Sequence, residues 1–201
     1  MHYLRPRLLR LVFTSKRTKV TVTHADAHSS CKRKQPTPIF LIGTSLSHEA
    51  TEWQRRFSEL GYQSTTALYS SEELESSKKD SLNTYYQDLV TIARDRCFFP
   101  PLLVGFDKGS WGLCRKFVAN QPVSALAMIE QLHDRDQPNF WANEALSEFE
   151  PHFPILVISQ QTTLPPSLTF LQDEIDHVVA QNDTKQPTLS ALLAWIDEMN
   201  I

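Results

Sequence analysis

The pentapeptide Gly105-Phe106-Asp107-Lys108-Gly109 sets one carboxylate where an apolar run, Leu102 to Gly105, hands over to a helical pattern from Asp107 to Asn120. A sharp strand–turn–helix needs small residues two before and two after its apex, because side chains there would collide with the adjoining strand and helix. Gly105 and Gly109 supply that clearance. Asp107 at the apex is expected in a strained backbone conformation, projecting from the C-terminal edge of a sheet. With a reference pKa of about 3.9, its carboxylate is ionised at neutral pH. Two chemistries are open to it. It can cap the N-terminus of the following helix, which stabilises by about 0.5–2 kcal/mol. It can also attack an electrophilic carbon to form an ester, which water hydrolyses only with help from a general base.

The elements that would hold such a residue are legible around it. Thr37 to Ser45 is a continuous apolar run ending near Gly43, the pattern of a strand buried on both faces. His48 to Leu60 repeats Ala50, Trp53, Phe57 and Leu60 at helical spacing and stops at Gly61-Tyr62. Gln63 to Leu68 is a short β-prone run, Ser70 to Ser81 an acidic, serine-rich loop, and Leu82 to Cys97 a second helical pattern. Beyond the apex, strands are expected over Val123–Ile129, Phe153–Ser159 and Ile175–Ala180. A short helix is expected over Phe140–Phe149 and a closing amphipathic helix over Pro187–Met199. Strands separated by helices imply right-handed crossovers and a mostly parallel sheet covered on both faces, an α/β three-layer sandwich.

In this context the chain resembles the α/β-hydrolase superfamily. Its elbow, G-x-[Ser/Asp/Cys]-x-G, stands here as Gly105-Phe106-Asp107-Lys108-Gly109. PIFLIGTSLSHEATEWQRRFSELGYQ is similar to the third strand, oxyanion loop and first helix of that family. PVSALAMI and FPILVIS are similar to the strands after the elbow. The resemblance implies an Asp-type nucleophile at Asp107, as in epoxide hydrolases and haloalkane dehalogenases, with Gly43, Thr44 and Lys108 around the oxyanion position. It also implies a catalytic acid after the strand ending at Ser159 and a histidine after the strand ending at Ala180. Those stretches read Gln160-Gln161-Thr162-Thr163-Leu164-Pro165 and Gln181-Asn182-Asp183-Thr184-Lys185, without a carboxylate in the first or a histidine in the second. Asp173 and Asp176 are substitute acids, and His48 and His177 substitute bases. Ile42-Gly43 replaces the usual His-Gly pair, and Lys108 replaces the Trp of many Asp-type members. An ammonium beside Asp107 would favour its charged form and weaken it as a nucleophile. The interval from Ile129 to Phe153 is too short for a cap domain. The reading is a cap-less hydrolase scaffold whose catalytic relay is lost, a pseudoenzyme with a binding or assembly role. The alternatives are an active hydrolase of esters, epoxides or haloalkanes using Asp107, and a fragmentary gene model whose missing exons encode the cap and triad.

Charge divides the 201 residues unevenly. Nine of the 20 Lys and Arg, but only one of the 23 acidic residues, lie in residues 1–35, so an overall charge of −3 hides a basic start and an acidic body. An acidic body is repelled by phosphate backbones, which argues against nucleic acid as a partner. Residues 1–24 hold no Asp or Glu and intersperse Arg, Lys, Ser and Thr among Leu, Val and Phe, the composition of a mitochondrial transit peptide. Residues 1–35 are therefore expected to be a transit-like arm and linker, and 36–201 the folded domain, in the mitochondrial matrix or alternatively the cytoplasm. A permanent basic arm is the rival. Cys31, Cys97 and Cys114 lack the spacing of a disulfide framework or a zinc site. No metal, cofactor or membrane span is expected. The partner would be an unidentified protein or a small apolar ligand. His133 and His152 read as surface residues, and Trp111, Trp141 and Trp195 as core or rim aromatics.

Overall fold

Residues 9–14, 19–44, 48–70, 82–130, 149–180 and 186–201 are described by a computed structural model of the chain. Its strands are β1 (Leu9–Thr14), β2 (Lys19–Ala25), β3 (Ile39–Gly43), β4 (Ser64–Tyr69), β5 (Leu102–Gly105), β6 (Ala125–Ile129), β7 (Ile155–Ser159) and β8 (Ile175–Val179). Helices α1 (His48–Leu60), α2 (Leu82–Arg96), α3 (Trp111–Val118) and α4 (Gln186–Glu198) alternate with them. The apolar runs are strands because each is buried on both faces: all residues of β3, β5, β6 and β7 are buried. Such a strand satisfies its backbone through two neighbours and its side chains through helices above and below. The expected loop over 71–81 and most of the expected helix over 140–149 lie outside the described residues.

One eight-stranded sheet has the order β1-β2-β4-β3-β5-β6-β7-β8. From β4 to β8 every pairing is parallel, while β2 runs antiparallel to both β1 and β4. Alternate residues of each strand divide between two cores. Phe40, Ile42 and Leu103 pack with α2 and α3. Ile39, Leu41, Leu102 and Val104 pack with α1 and α4. The three-layer α/β sandwich is the observed fold.

The N-terminal boundary is corrected. Residues 9–14 and 19–25 are not part of an arm outside the body, because they form β1 and β2 of its sheet. Strand β2 pairs with β4 from Val20↔Tyr69 to Ala25↔Ser64, and Val20, Val22 and Ala25 are 3%, 2% and 5% exposed. The local cause is the alternation Val20-Thr21-Val22-Thr23, a half-buried strand by period, which sends the valines to one core. On the other face Thr23 donates to buried Gln54 of α1, Oγ1 to Oε1, at 2.7 Å. The segment after β2 is tied down as well: His28 N donates to Ser58 O and Gln35 N to Gly61 O, both at 2.9 Å.

Gly61 makes that docking possible. It has φ +94°, and a Cβ there would lie 2.5 Å from Arg33 O. Gly61→Ala is therefore expected to destabilise the fold by about 1–3 kcal/mol, read from the midpoint of urea unfolding.

Candidate functional site

Strand β3 has β4 on one side and β5 on the other, so the crossovers through α1 and α2 leave in opposite directions. Open α/β sheets bind ligands at such a switch point, in the crevice beyond the carboxyl ends of the diverging strands. Gly43 ends β3 and Thr44 follows it, as Phe106 and Asp107 follow β5. Phe106 N extends the ladder by donating to Ile42 O at 2.8 Å, which brings Asp107 across from Thr44.

Asp107 does not project from this edge. It is 1% exposed, and its backbone is extended, with φ −147° and ψ 162°. The strained apex expected from the glycine spacing is absent; among the described residues Asn200 alone is non-glycine with positive φ. The side chain turns inward and accepts three hydrogen bonds. Thr44 N donates to Oδ2 at 2.6 Å, Thr44 Oγ1 to Oδ1 at 3.1 Å, and Ser110 N to Oδ1 at 2.8 Å. The last makes Asp107 the N-cap of a 3-10 turn, Lys108–Ser110, which leads directly into α3. Ser110 Oγ returns a bond to Asp107 O at 2.7 Å. Burial pushes the Asp107 carboxyl above its ordinary value of 3.8, and the donors from Thr44 and Ser110 pull it back.

The glycines permit this closure. A Cβ on Gly43 would lie 2.9 Å from Leu68 Cδ2 and 3.1 Å from Asp107 Oδ2. A Cβ on Gly105 would lie 3.0 Å from Cys114 Sγ and 3.2 Å from Ser110 Oγ. Gly109 is buried within the 3-10 turn.

No family model matches the sequence, and no curated protein matches it. Solved structures do. A thermostable carboxyl esterase from Bacillus coagulans superposes with TM-score 0.62 at 12% identity, covering 96% of this chain and 99% of that one. Est1E from Butyrivibrio proteoclasticus gives 0.61 at 12%, covering 94% and 98%. An α/β hydrolase enzyme from sediment metagenome of the Mar Chica lagoon gives 0.59 at 14%, covering 95% and 100%. The chain has the α/β-hydrolase fold. Identities this low establish the architecture, and chemistry has to be argued from the residues present.

In a hydrolase fold of this type, one oxyanion donor is the N–H after the nucleophile and another comes from the loop after β3. Thr44 N lies in that loop and is bonded to Asp107 itself. Lys108 does not form the ion pair with Asp107 expected of it: its Nζ lies 3.4 Å from Oε1 of Glu130, a 7% exposed residue after β6. Oε2 of Glu130 accepts from Gln160 N at 3.2 Å, which joins the ends of β6 and β7.

His177 lies inside β8, paired with Val157. Its Nε2 is 2.9 Å from Oγ of Ser159, which also donates to Gln161 O at 2.9 Å. A hydroxyl has one proton. With that proton on Gln161 O, His177 is the donor to Ser159, the reverse of what a base activating a nucleophile requires. Two strands, β6 and β7, separate β8 from β5, so His177 starts about 14 Å from the Asp107 strand at ordinary spacing. His48 is the first residue of α1, and its side chain lies outside the described residues, as does His133. His152 is exposed. Of the substitute acids, Asp173 is exposed and Asp176 accepts from Trp195 Nε1 at 2.7 Å. Trp111 is buried and donates to Ile129 O; Trp141 is outside the described residues.

Ser110 and Glu130 are site residues that the sequence marks only faintly. Asp-x-x-Ser, a carboxylate three residues before a helix start, was the available signal for Ser110. Glu130 carried a weaker one, as a carboxylate closing the five-residue apolar run of β6.

Proposed function

We propose that this chain is a non-catalytic α/β-hydrolase-fold protein that acts by binding or assembly, with Asp107 as a structural residue. One observation carries the reading: the buried Asp107 carboxylate takes up Thr44 N, the donor of the loop after β3, together with Thr44 Oγ1 and Ser110 N. A carboxylate that is 1% exposed and holds three donors is shielded from a substrate carbon. The pairing of His177 with Ser159 supports the same reading, since a covalent ester on Asp107 would need an imidazole to be hydrolysed.

The test is turnover of activated esters, epoxides and haloalkanes by wild type and Asp107→Asn. Equal background rates are expected. Turnover by wild type that disappears in Asp107→Asn would replace this proposal with a hydrolase using Asp107.

The proposal keeps the mitochondrial matrix as the compartment, supported by the acid-poor composition of residues 1–24. Because Lys19–Ala25 is a strand of the sheet, processing must fall before Lys19 to leave β2 in place. Full-length chain that stays cytosolic in fractionated cells would remove the mitochondrial part.

A further inference from the structure

The crossovers bring the C-terminal ends of all four helices to the edge where the parallel strands begin, opposite the switch point. Two aromatic side chains stand out of that edge. Phe98 is 92% and Phe99 53% exposed, in the loop from α2 into β5. Their rings pack edge to face, centroids 5.0 Å apart, and Pro100 and Pro101 stiffen the chain behind them. Adjacent exposed aromatics form an apolar tip, and aromatic residues are what the centres of protein interfaces are enriched in.

Charge divides at the same place. Sequence order and sheet order coincide at β5: residues 1–120 supply β1 to β5 on one side, and residues 121–201 supply β6 to β8 on the other. The first portion carries 18 Lys and Arg against 11 acids, the second 2 against 12. At the edge itself, the basic side exposes Lys32, Arg33 and Lys34 by the end of α1 and Arg94 near the end of α2, with Arg96 half-buried. Its exposed acids are Asp26 and Asp95, while Glu59 is taken up by Arg55 and Arg56. The other side exposes Glu150, Asp173, Glu174, Asp197 and Glu198, and among the described residues after Asn120 there is no Lys or Arg. Asp197 and Glu198 close α4, whose last turn holds no basic residue. Acids are disfavoured at a helix C-terminus, so a cation facing them from outside would be stabilising.

We infer that this edge is an interface between two copies of the chain, related by a two-fold axis normal to the sheet beside β5, with the Phe98 and Phe99 rings of the two copies packed together. Such an axis turns the edge end for end, so the basic side of each copy meets the acidic side of the other. It also keeps like helical faces side by side, and the charges suit both faces. Lys32, Arg33 and Lys34 lie on the face of α1, where Gln35 N is bonded to Gly61 O, and α4 with Asp197 and Glu198 shares that face. Arg94 and Arg96 lie on the face of α2. The 3-10 segment Pro166–Glu174, which ends in Asp173 and Glu174, packs Leu168 and Leu171 into the core of that same face. A partner of uniform charge would be repelled along one half of this edge, whereas a second copy carries the complementary pattern. The interface shares no residue with the Asp107 turn, so catalysis, present or absent, leaves it untouched.

Sedimentation velocity of the full chain is the experiment. Wild type is expected to run as a two-chain particle at about 50 μM and to shift toward one chain as salt is raised. Joint replacement Phe98→Ser and Phe99→Ser should raise the dissociation constant at least about tenfold, since each side chain counts twice in an isologous contact. Lys32→Glu with Lys34→Glu, or Asp197→Lys with Glu198→Lys, places like charges opposite one another and should weaken the pair by about tenfold or more. A chain carrying all four reversals keeps the wild-type net charge and should pair as wild type does. All six side chains are exposed, so unchanged melting temperatures verify that the variants fold. Wild type that remains a single chain at that concentration overturns the proposal, as expected if a different protein covers the tip. Undiminished pairing by the Phe98/Phe99 variant overturns it too. So does a four-reversal chain that pairs no better than either two-reversal chain.

Discussion

Asp107→Ala is expected to cost the fold about 3–6 kcal/mol, a large part of the roughly 5–15 kcal/mol that holds a domain of this kind together. The variant strips the acceptor from Thr44 N, Thr44 Oγ1 and Ser110 N, and each buried donor left without a partner costs about 1–3 kcal/mol. The sum is reduced because a desolvated carboxylate disappears with them. The loss should fall on the contact between the ends of β3 and β5, and urea unfolding or calorimetry would measure it. An exposed nucleophile would behave otherwise: its replacement would abolish turnover and leave stability nearly unchanged.

Two controls sharpen this expectation. Asp107→Gly vacates the carboxylate and keeps its donors, so added formate or acetate should raise the melting temperature of the variant and leave wild type unmoved, through ordinary binding linkage. The pH dependence has a defined sign. Burial raises the Asp107 carboxyl above 3.8, so the folded chain holds that proton more tightly than the unfolded chain does. The part of the stability that comes from this raised value is complete below 3.8 and is lost as pH rises through the folded-state value. The stability advantage of wild type over Asp107→Asn should accordingly narrow from acid to neutral pH.

Removing residues 1–25 is expected to leave a chain that aggregates or unfolds at ambient temperature. The truncation takes Val20 and Val22 out of the core, at about 1.5–3 kcal/mol each. It also strips β4 of its antiparallel partner from Ser64 to Tyr69, turning a buried strand into a bare edge. Gln54, 1% exposed, would lose both its bonds to Thr23. If those residues were a detachable leader, the truncated chain would be the mature protein and would melt like the full one. Circular dichroism melting of the two purified chains distinguishes the outcomes.

How far the sequence reaches can be followed through particular residues. Strands β3, β5, β6 and β7 are apolar throughout, and a run with no polar face can only be buried on both sides, so the parallel centre of the sheet was legible. Helix α1 was legible from the spacing of Ala50, Trp53 and Phe57, and its stop from Gly61. Strand β2 was harder. Lys19, Thr21, Thr23 and His24 fit a basic, hydroxylated leader as well as a half-buried strand. The difference lies in β4, which offers Val20 and Val22 the neighbours Tyr69 and Ala67.

The candidate site divides along the same line. Local sterics around Gly105 and Gly109 set a tight strand-to-helix turn with Asp107 at its head, and the sequence alone carried that. Which way the carboxylate faces depends on Thr44, 63 positions away in the chain, and on Ser110 at the mouth of the helix. A buried carboxylate needs donors, and only the tertiary structure brings three to it. The residue types determined that an acid would stand at the switch point of an α/β sheet. The register of β3 against β5 decided that it closes that point from within, because hydrogen bonds between distant residues are settled by where the strands lie.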